Sequence, residues 1–322
     1  MFIHPRLIIT VGIECCHRAT GFTQEFTFVN MNVVTRYVNT SSSSYDFIIS
    51  VCLFCCLGSL LDDGGGILIS GSGGKIMMKE NVFSSCVSKN GGGFHISGLN
   101  EINCEQCCMI KCNSKEWGHG FLASAAVGGF IRVFHNSFVH CSENLTFGRT
   151  SIEMLYANQF FTLNNASKCV VSTYDVVLHW VSVQFTNTYN HCADNTVSIA
   201  INVAESKNGI VEYSNFINNT KSFNKYGLIY LYTNTRIDFK SSLFFDNYQQ
   251  NFLSGVNLDR AFFTGCVFYN NRFDVSTSLV QTSLKCSEIP IIVLNTCQQM
   301  NQQSKSAKQR LRQSFLLFIF IS

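Results

Sequence analysis

Proline is almost missing from this chain, with 2 in 322 residues, and charge is scarce, with Asp, Glu, Lys and Arg together making up 13%. That share is about half of what a soluble domain usually carries, so with 46% apolar residues much of the chain must be buried or face a membrane. Disorder is thereby excluded for most of its length. A basic stripe and an acidic tail are both missing and the net charge is only +3, which leaves no electrostatic case for nucleic acid as a partner.

Long apolar runs are missing too. Phe47 to Leu61 is broken by Ser50, Gly58 and Ser59 and is about 15 residues long, short of the ~20 that a spanning helix needs. Phe315 to Ile321, behind Lys308, Arg310 and Arg312, is shorter still and reads as the stub of an anchor or as a terminal strand. Near the start, His4 and Arg6 precede the apolar Leu7 to Ile13, without the small-residue cleavage site of a clear secretory signal. Cysteine, by contrast, is abundant. Sixteen Cys would suggest disulfides in an extracellular protein, yet the chain is too long for a small disulfide scaffold, so the compartment stays open.

Phenylalanine is the other abundant residue, at 29, and it sits in short β-prone runs separated by Asn, Ser and Gly, which predicts many short strands with tight corners rather than long helices. The runs repeat. In Val211 to Asn219 an apolar residue lies five before a central Phe216, and Asn219 lies three after it. The same pattern returns around Phe244, Phe268, Phe138 and Phe83, and more weakly around Leu53, Met109, Phe161 and Phe185. A second apolar strand, often entered through Gly, follows most copies, as in Gly66-Ile67-Leu68, Gly93-Phe94, Gly120-Phe121, Gly227-Leu228, Ile199-Ala200-Ile201 and Leu279-Val280.

A period of about 25 residues made only of strands is one coil of a parallel β-helix, because three strands of a few residues and three turns consume that length. A leucine-rich repeat would need a helix or Leu-rich signature, and a propeller blade about 40 residues or more. The expectation is therefore an all-β, right-handed parallel β-helix of about nine coils, a pectin-lyase-like architecture stacked at ~4.8 Å. The position three after each centre, read as Cys56, Cys86, Cys112, Cys141, Asn164, Thr188, Asn219, Asn247 and Asn271, is expected to stack at one corner. Three divisions follow: an N-terminal segment or partial coil over 1–44, the β-helix over 45–285, and a polar linker with an apolar tail over 286–322.

Ser214-Asn215-Phe216-Ile217-Asn218-Asn219, Cys266-Val267-Phe268-Tyr269-Asn270-Asn271 and Asn90-Gly91-Gly92-Gly93-Phe94 carry a resemblance. Between about Ile48 and Val280 the chain resembles the repeats of polymorphic outer-membrane proteins of bacteria and the right-handed β-helix repeat proteins of protozoan parasites. The resemblance implies a surface or secreted protein, with adhesion as one role of such proteins.

The scaffold also hosts polysaccharide lyases and glycosidases. Asp62-Asp63, Gly118-His119-Gly120 and Arg236-Ile237-Asp238 are similar to elements of polygalacturonase-type enzymes, but about two coils separate Asp63 from His119 and four separate His119 from Arg236. At ~4.8 Å per coil the last gap approaches 20 Å, too far for carboxylates flanking one glycosidic bond. Asp62 and Asp63 read better as a turn into Gly64-Gly65-Gly66. Cys52 and Cys55, and Cys104, Cys107, Cys108 and Cys112, have the local spacing of zinc ligands, but they fall at packed repeat positions, leaving buried thiols or a disulfide at Cys104 as competing readings. Residues 104 and 107, three apart on a strand, would point to opposite faces. Gly71 to Lys75 lacks the spacing of a phosphate loop, and the sequons at Asn39, Asn144, Asn165 and Asn218 permit glycosylation without arguing for it.

No catalytic, cofactor or metal residue is therefore assigned. The expected function is a non-enzymatic adhesion or interaction protein at the cell surface or outside the cell, with a host, matrix or carbohydrate ligand, and with membrane association and self-association open to it. A carbohydrate-active enzyme on the same scaffold is the rival, and a degenerate fragment the third reading.

Overall fold

The computed structural model describes most of residues 45–273 and, upstream, the backbone of four strands between 16 and 39. Every described element is a strand, and nearly all pair in parallel; only Cys16–Thr20 and Thr23–Val29 run antiparallel. The chain winds as a parallel β-solenoid of about 7 turns. Each turn contributes a strand to three faces, here called first, second and third in chain order.

The first face runs from Tyr37–Asn39 to Asn251–Val256, the second from Thr23–Val29 to Ala261–Thr264, and the third is a 10-stranded ladder from Asn32–Val33 to Val267–Tyr269. Phe94–Glu105 and Phe121–Phe134 run through the first two faces without a break and join them in one 18-stranded sheet. The count is slightly below the nine coils expected: the repeat at Phe268 sits on the last rung, whose turn is incomplete within the described residues. Leu279-Val280 and the 286–322 segment lie outside them.

Stacking of like on like builds the core. Phe216 pairs with Phe244 and Phe244 with Phe268, with ring centroids 5.0 and 4.9 Å apart and planes within 5°. Phe54 and Phe83 stack at 4.7 Å, Phe94 and Phe121 at 4.8 Å, and Phe239 and Phe263 at 4.7 Å, so each face contributes an aromatic column. Burying one such ring is worth about 1.5–3 kcal/mol, and a stacked pair adds about 0.5–1.5 kcal/mol.

Three repeat centres fall elsewhere than expected. Phe54, not Leu53, pairs with Phe83. Phe161 lies on the second face opposite Val133, and Phe185 on the same face opposite Gln159. The central positions of those two coils are Ala166 and Cys192, which pair in the column leading from Phe138 to Phe216. In the first of these coils the ring has moved five residues upstream: Phe161 stacks on Phe138 at 6.2 Å and supplies the bulk that Ala166 lacks. The replacement is imperfect, and a void of about 10 Å³ lies between Phe161, Ala166, Cys192 and Phe216.

The corners, not the rings, set this phase. From Val82–Ser84 onward, two left-handed residues flank each third-face strand: Tyr213 and Asn218 at φ 49° each, and Ser241 and Asp246 at 45° and 52°. A non-glycine residue there costs about 1–2 kcal/mol. The backbone N–H of each bonds the next coil, as Tyr213 does to Lys240 O at 3.1 Å and Asn218 to Phe245 O at 2.9 Å. Just inside each corner lies a column of small thiol and amide side chains, begun by the apolar Leu57. After the strand the column reads Leu57, Cys86, Cys112, Cys141, Cys169, Asn195, Asn219, Asn247 and the half-buried Asn271, so Cys56, Asn164 and Thr188 are replaced as members by Leu57, Cys169 and Asn195.

Asn219 Nδ2 donates to Cys192 O at 2.9 Å and Asn247 Nδ2 to Phe216 O at 2.8 Å, each reaching the central residue of the preceding coil. The thiols do the same more weakly: Cys112 Sγ reaches Phe83 O at 3.4 Å and Cys141 Sγ reaches Met109 O at 3.5 Å. Cys and Asn share a column because both are small donors to one carbonyl. A second column before the strand passes through Asn136, Asn164 and Asn190, where the N–H of Asn136 donates to Asn164 Oδ1 and that of Asn164 to Asn190 Oδ1, both at 2.8 Å. At the entry to the first face the backbones stack so closely that a Cβ on Gly92 would lie 2.1 Å from His119 O.

Candidate functional site

The elements that resembled a glycosidase do not come together. Asp63 sits at the corner before Ile67–Ser70, accepting from Asn90 Nδ2 at 2.8 Å and lying 3.6 Å from His95 Nδ1. His119 occupies the same corner two coils on, fully buried, with its Nδ1 accepting the Ser114 N–H at 2.9 Å. Burial lowers its pKa to about 3, so it is a neutral imidazole protonated at Nε2 that caps a turn. Arg236 and Asp238 belong to the second face four coils further, paired with each other at 2.7 Å.

The cysteines are packed. Cys104 and Cys107 are both buried, because the turn between them redirects the chain and brings both thiols inside, against the expectation of opposite faces. Burial raises the Cys104 and Cys112 thiols well above their ordinary range, which keeps them neutral. Cys104 is a free thiol, while Cys108 is disulfide-bonded. Among the described residues no three His, Cys, Asp or Glu side chains gather as a metal site, and no helix is long and apolar enough to cross a membrane. Gly71 to Gly73 is a corner that leads into the strand Gly74–Lys79, with φ of 78° and 74° at Gly73 and Gly74. Of the sequons, Asn218 is exposed at a left-handed corner and Asn165 is half-buried, while Asn144 lies outside the described residues.

The outer surface of the second face carries the densest chemistry. Parallel register aligns Met77, Asn103, Arg132, Phe160 and Thr186 in one outward column, with Lys75, Glu101, Phe130 and Asn158 beside it and Lys79, Glu105, Phe134 and Thr162 on the other flank. Arg132 is the hub. Its guanidinium lies 4.6 Å from the Phe130 ring centroid and 6.0 Å from that of Phe160, and it pairs with Glu101. A hydrogen bond from Asn103, and then the charge of Arg132, hold the Glu101 carboxyl below its usual range. Met77, Phe130 and Phe134 are 49%, 36% and 38% exposed, so apolar side chains, a cation and an anion share one flat surface. Beside it, the chain inserts extra residues between Ala125 and Phe130, and Val127 projects 86% exposed.

Sequence reasoning passed over this surface, because its members are adjacent only once the register is known. It also passed over Glu153, which stands between Leu122 and Leu178 in the first face at 2% exposure. Burial raises its carboxyl to about 7, against the Thr150 hydroxyl that donates to it at 3.0 Å and the charge of Arg149. Compared with known proteins, the chain matches no family model, no curated protein and no solved structure.

Proposed function

We propose that this protein is a non-enzymatic interaction protein of the cell surface or extracellular space, and that the outer second face around Arg132 is where it engages its partner. One observation carries the reading: the exposed Phe130, Arg132 and Phe134 and the half-buried Glu101 and Phe160 form an aromatic and charged cluster on the outside of a sheet. Rigid aromatic and guanidinium groups are what binding surfaces concentrate, since they supply contact area at small entropic cost. The resemblance to polymorphic outer-membrane protein repeats supports the location, and a carbohydrate or matrix polymer suits a ligand laid along rungs ~4.8 Å apart.

Surface proteolysis of intact cells tests the location: the reading expects loss of the protein while cytosolic markers survive, and full protection overturns it. Binding to immobilised glycans and matrix proteins tests the face. Arg132→Ala and Phe134→Ala are expected to weaken capture at least about tenfold without changing the fold, consistent with losses at hot spots. Equal capture by both variants would remove the face from the account.

A further inference from the structure

The corner that follows the third face carries a charge pattern that is complementary to its own reversal. Its left-handed residues, one per coil, are Ser85, Lys111, His140, Lys168, Asp194, Asn218, Asp246 and Asn270. Lys111, Lys168, Asp194, Asn218 and Asn270 are exposed, and Ser85, His140 and Asp246 are half-buried. The basic members occupy one half of the stripe and the acidic members the other. Reversed about the midpoint between Lys168 and Asp194, the stripe sets Lys168 against Asp194, His140 against Asn218, Lys111 against Asp246 and Ser85 against Asn270.

The neighbouring column, the last residue of each third-face strand, obeys the same symmetry. It reads Ser84, Ile110, Val139, Ser167, Ala193, Ile217, Phe245 and Tyr269 in parallel register. Reversal sets Ile110 against Phe245, Val139 against Ile217 and Ser84 against Tyr269, with the small Ser167 and the buried Ala193 at the centre. Phe245 and Tyr269 stack at 5.5 Å and present a flat apolar end, Tyr269 being 63% exposed.

We propose that this corner is the interface of an antiparallel homodimer, in which two copies lie side by side with their winding directions opposed. A twofold interface requires one patch to be complementary to itself, and both columns meet that requirement. Side-by-side packing in the same direction would instead set Lys111 on Lys111 and Asp246 on Asp246, which like-charge repulsion disfavours. Eight rungs span about 34 Å and the two columns with their flank about 10–15 Å, so each copy buries roughly 400–500 Å². The total of about 900 Å² lies at the small end of specific interfaces, which places the dimer in the weak, charge-steered and salt-sensitive class. The outer second face around Arg132 is left open, so the dimer does not rest on the proposed binding role.

Sedimentation velocity on the full chain across concentration and salt tests the proposal, with the association constant expected to fall at least about tenfold from low to high salt. Lys111→Glu with Lys168→Glu, and separately Asp194→Lys with Asp246→Lys, are each expected to yield monomers. Mixing the two variants restores every pair and is expected to yield the heterodimer. Carbodiimide cross-linking of the wild-type chain reads the direction: Lys111 and Asp246 are five rungs, about 24 Å, apart within one chain, so a zero-length link between them arises only across an antiparallel pair. A wild-type monomer in all conditions, a dimer indifferent to either charge reversal, or a dimer without the Lys111–Asp246 link overturns the proposal. The link needs no variant and decides the matter if a variant fails to fold.

Discussion

Acid should loosen this solenoid, because burial holds imidazoles in the neutral form, most strongly His119 and His179. His179 is fully buried on the first face, stacked on Phe185 at 4.7 Å, with Nδ1 2.9 Å from Gln159 Oε1. The Gln159 amide nitrogen already donates to Met154 O and Tyr156 O, so its oxygen accepts and His179 carries its proton on Nδ1. Burial lowers both His179 and His119 to about 3 from the 6.5 of a solvated imidazole. A base whose folded pKa is depressed stabilises the fold above its unfolded pKa, and that stability drains away as pH falls through 6.5 towards 3. Between pH 7 and pH 5 each histidine therefore costs about 2 kcal/mol. Glu153 acts in the opposite sense: raised to about 7 from 4.5, it binds its proton more tightly in the folded state and returns about 2 kcal/mol over the same interval.

These three groups together give a loss of about 2 kcal/mol from pH 7 to pH 5, and His95 and His191, both lowered by burial, add to it in the same direction. Urea unfolding followed by circular dichroism at a series of pH values measures it. Glu153→Gln removes the opposing group, so the loss should grow by about 2 kcal/mol, whereas His179→Phe keeps the stack on Phe185 and should shrink the loss by about 2 kcal/mol. Stability that is flat or rising from pH 7 to pH 5 in the wild-type protein, or a His179→Phe variant as acid-sensitive as the parent, would refute the burial argument.

The displaced ring offers a coupled pair. Ala166→Phe alone should destabilise by about 1–3 kcal/mol, because Phe161 already fills the space, while Phe161→Val with Ala166→Phe restores the arrangement of Val133 and Phe138 and should recover most of the loss in urea midpoints. Asn219→Ala strands the Cys192 carbonyl and the bonds to Asn247, and should cost about 2–3 kcal/mol by the same measurement. Gly92→Ala and Gly128→Ala separate crowding from strain: the first drives a Cβ into His119 O and should abolish a cooperative melt, while the second, at φ 82° with nothing within 4 Å, should cost only about 1–2 kcal/mol.

The period, the strand content and the aromatic stacking were legible because each follows from residues at fixed spacing. The slip at Phe161 and Phe185 was not. A search for Phe finds the ring wherever it lies along the coil, whereas the phase is set by left-handed corners at Leu163 and Lys168, residues that carry no compositional mark of that conformation. The polar column was half legible for the same reason: Asn219, Asn247 and Asn271 stand at their expected places, while Asn164 belongs to the column on the other side of the strand. The surface around Arg132 could not be read at all, because Glu101, Phe130 and Phe160 become neighbours only through parallel register across three coils.

Ring-to-ring nuclear Overhauser effects in the full chain, with phenylalanines selectively labelled and assigned by single Phe→Leu replacements, test the winding most directly. Contacts between Phe216 and Phe244 and between Phe244 and Phe268, at centroid separations of 5.0 and 4.9 Å, are the predicted result. Three folded, well-dispersed rings without those cross-peaks would contradict the stacked coil from which the binding face and the dimer both follow.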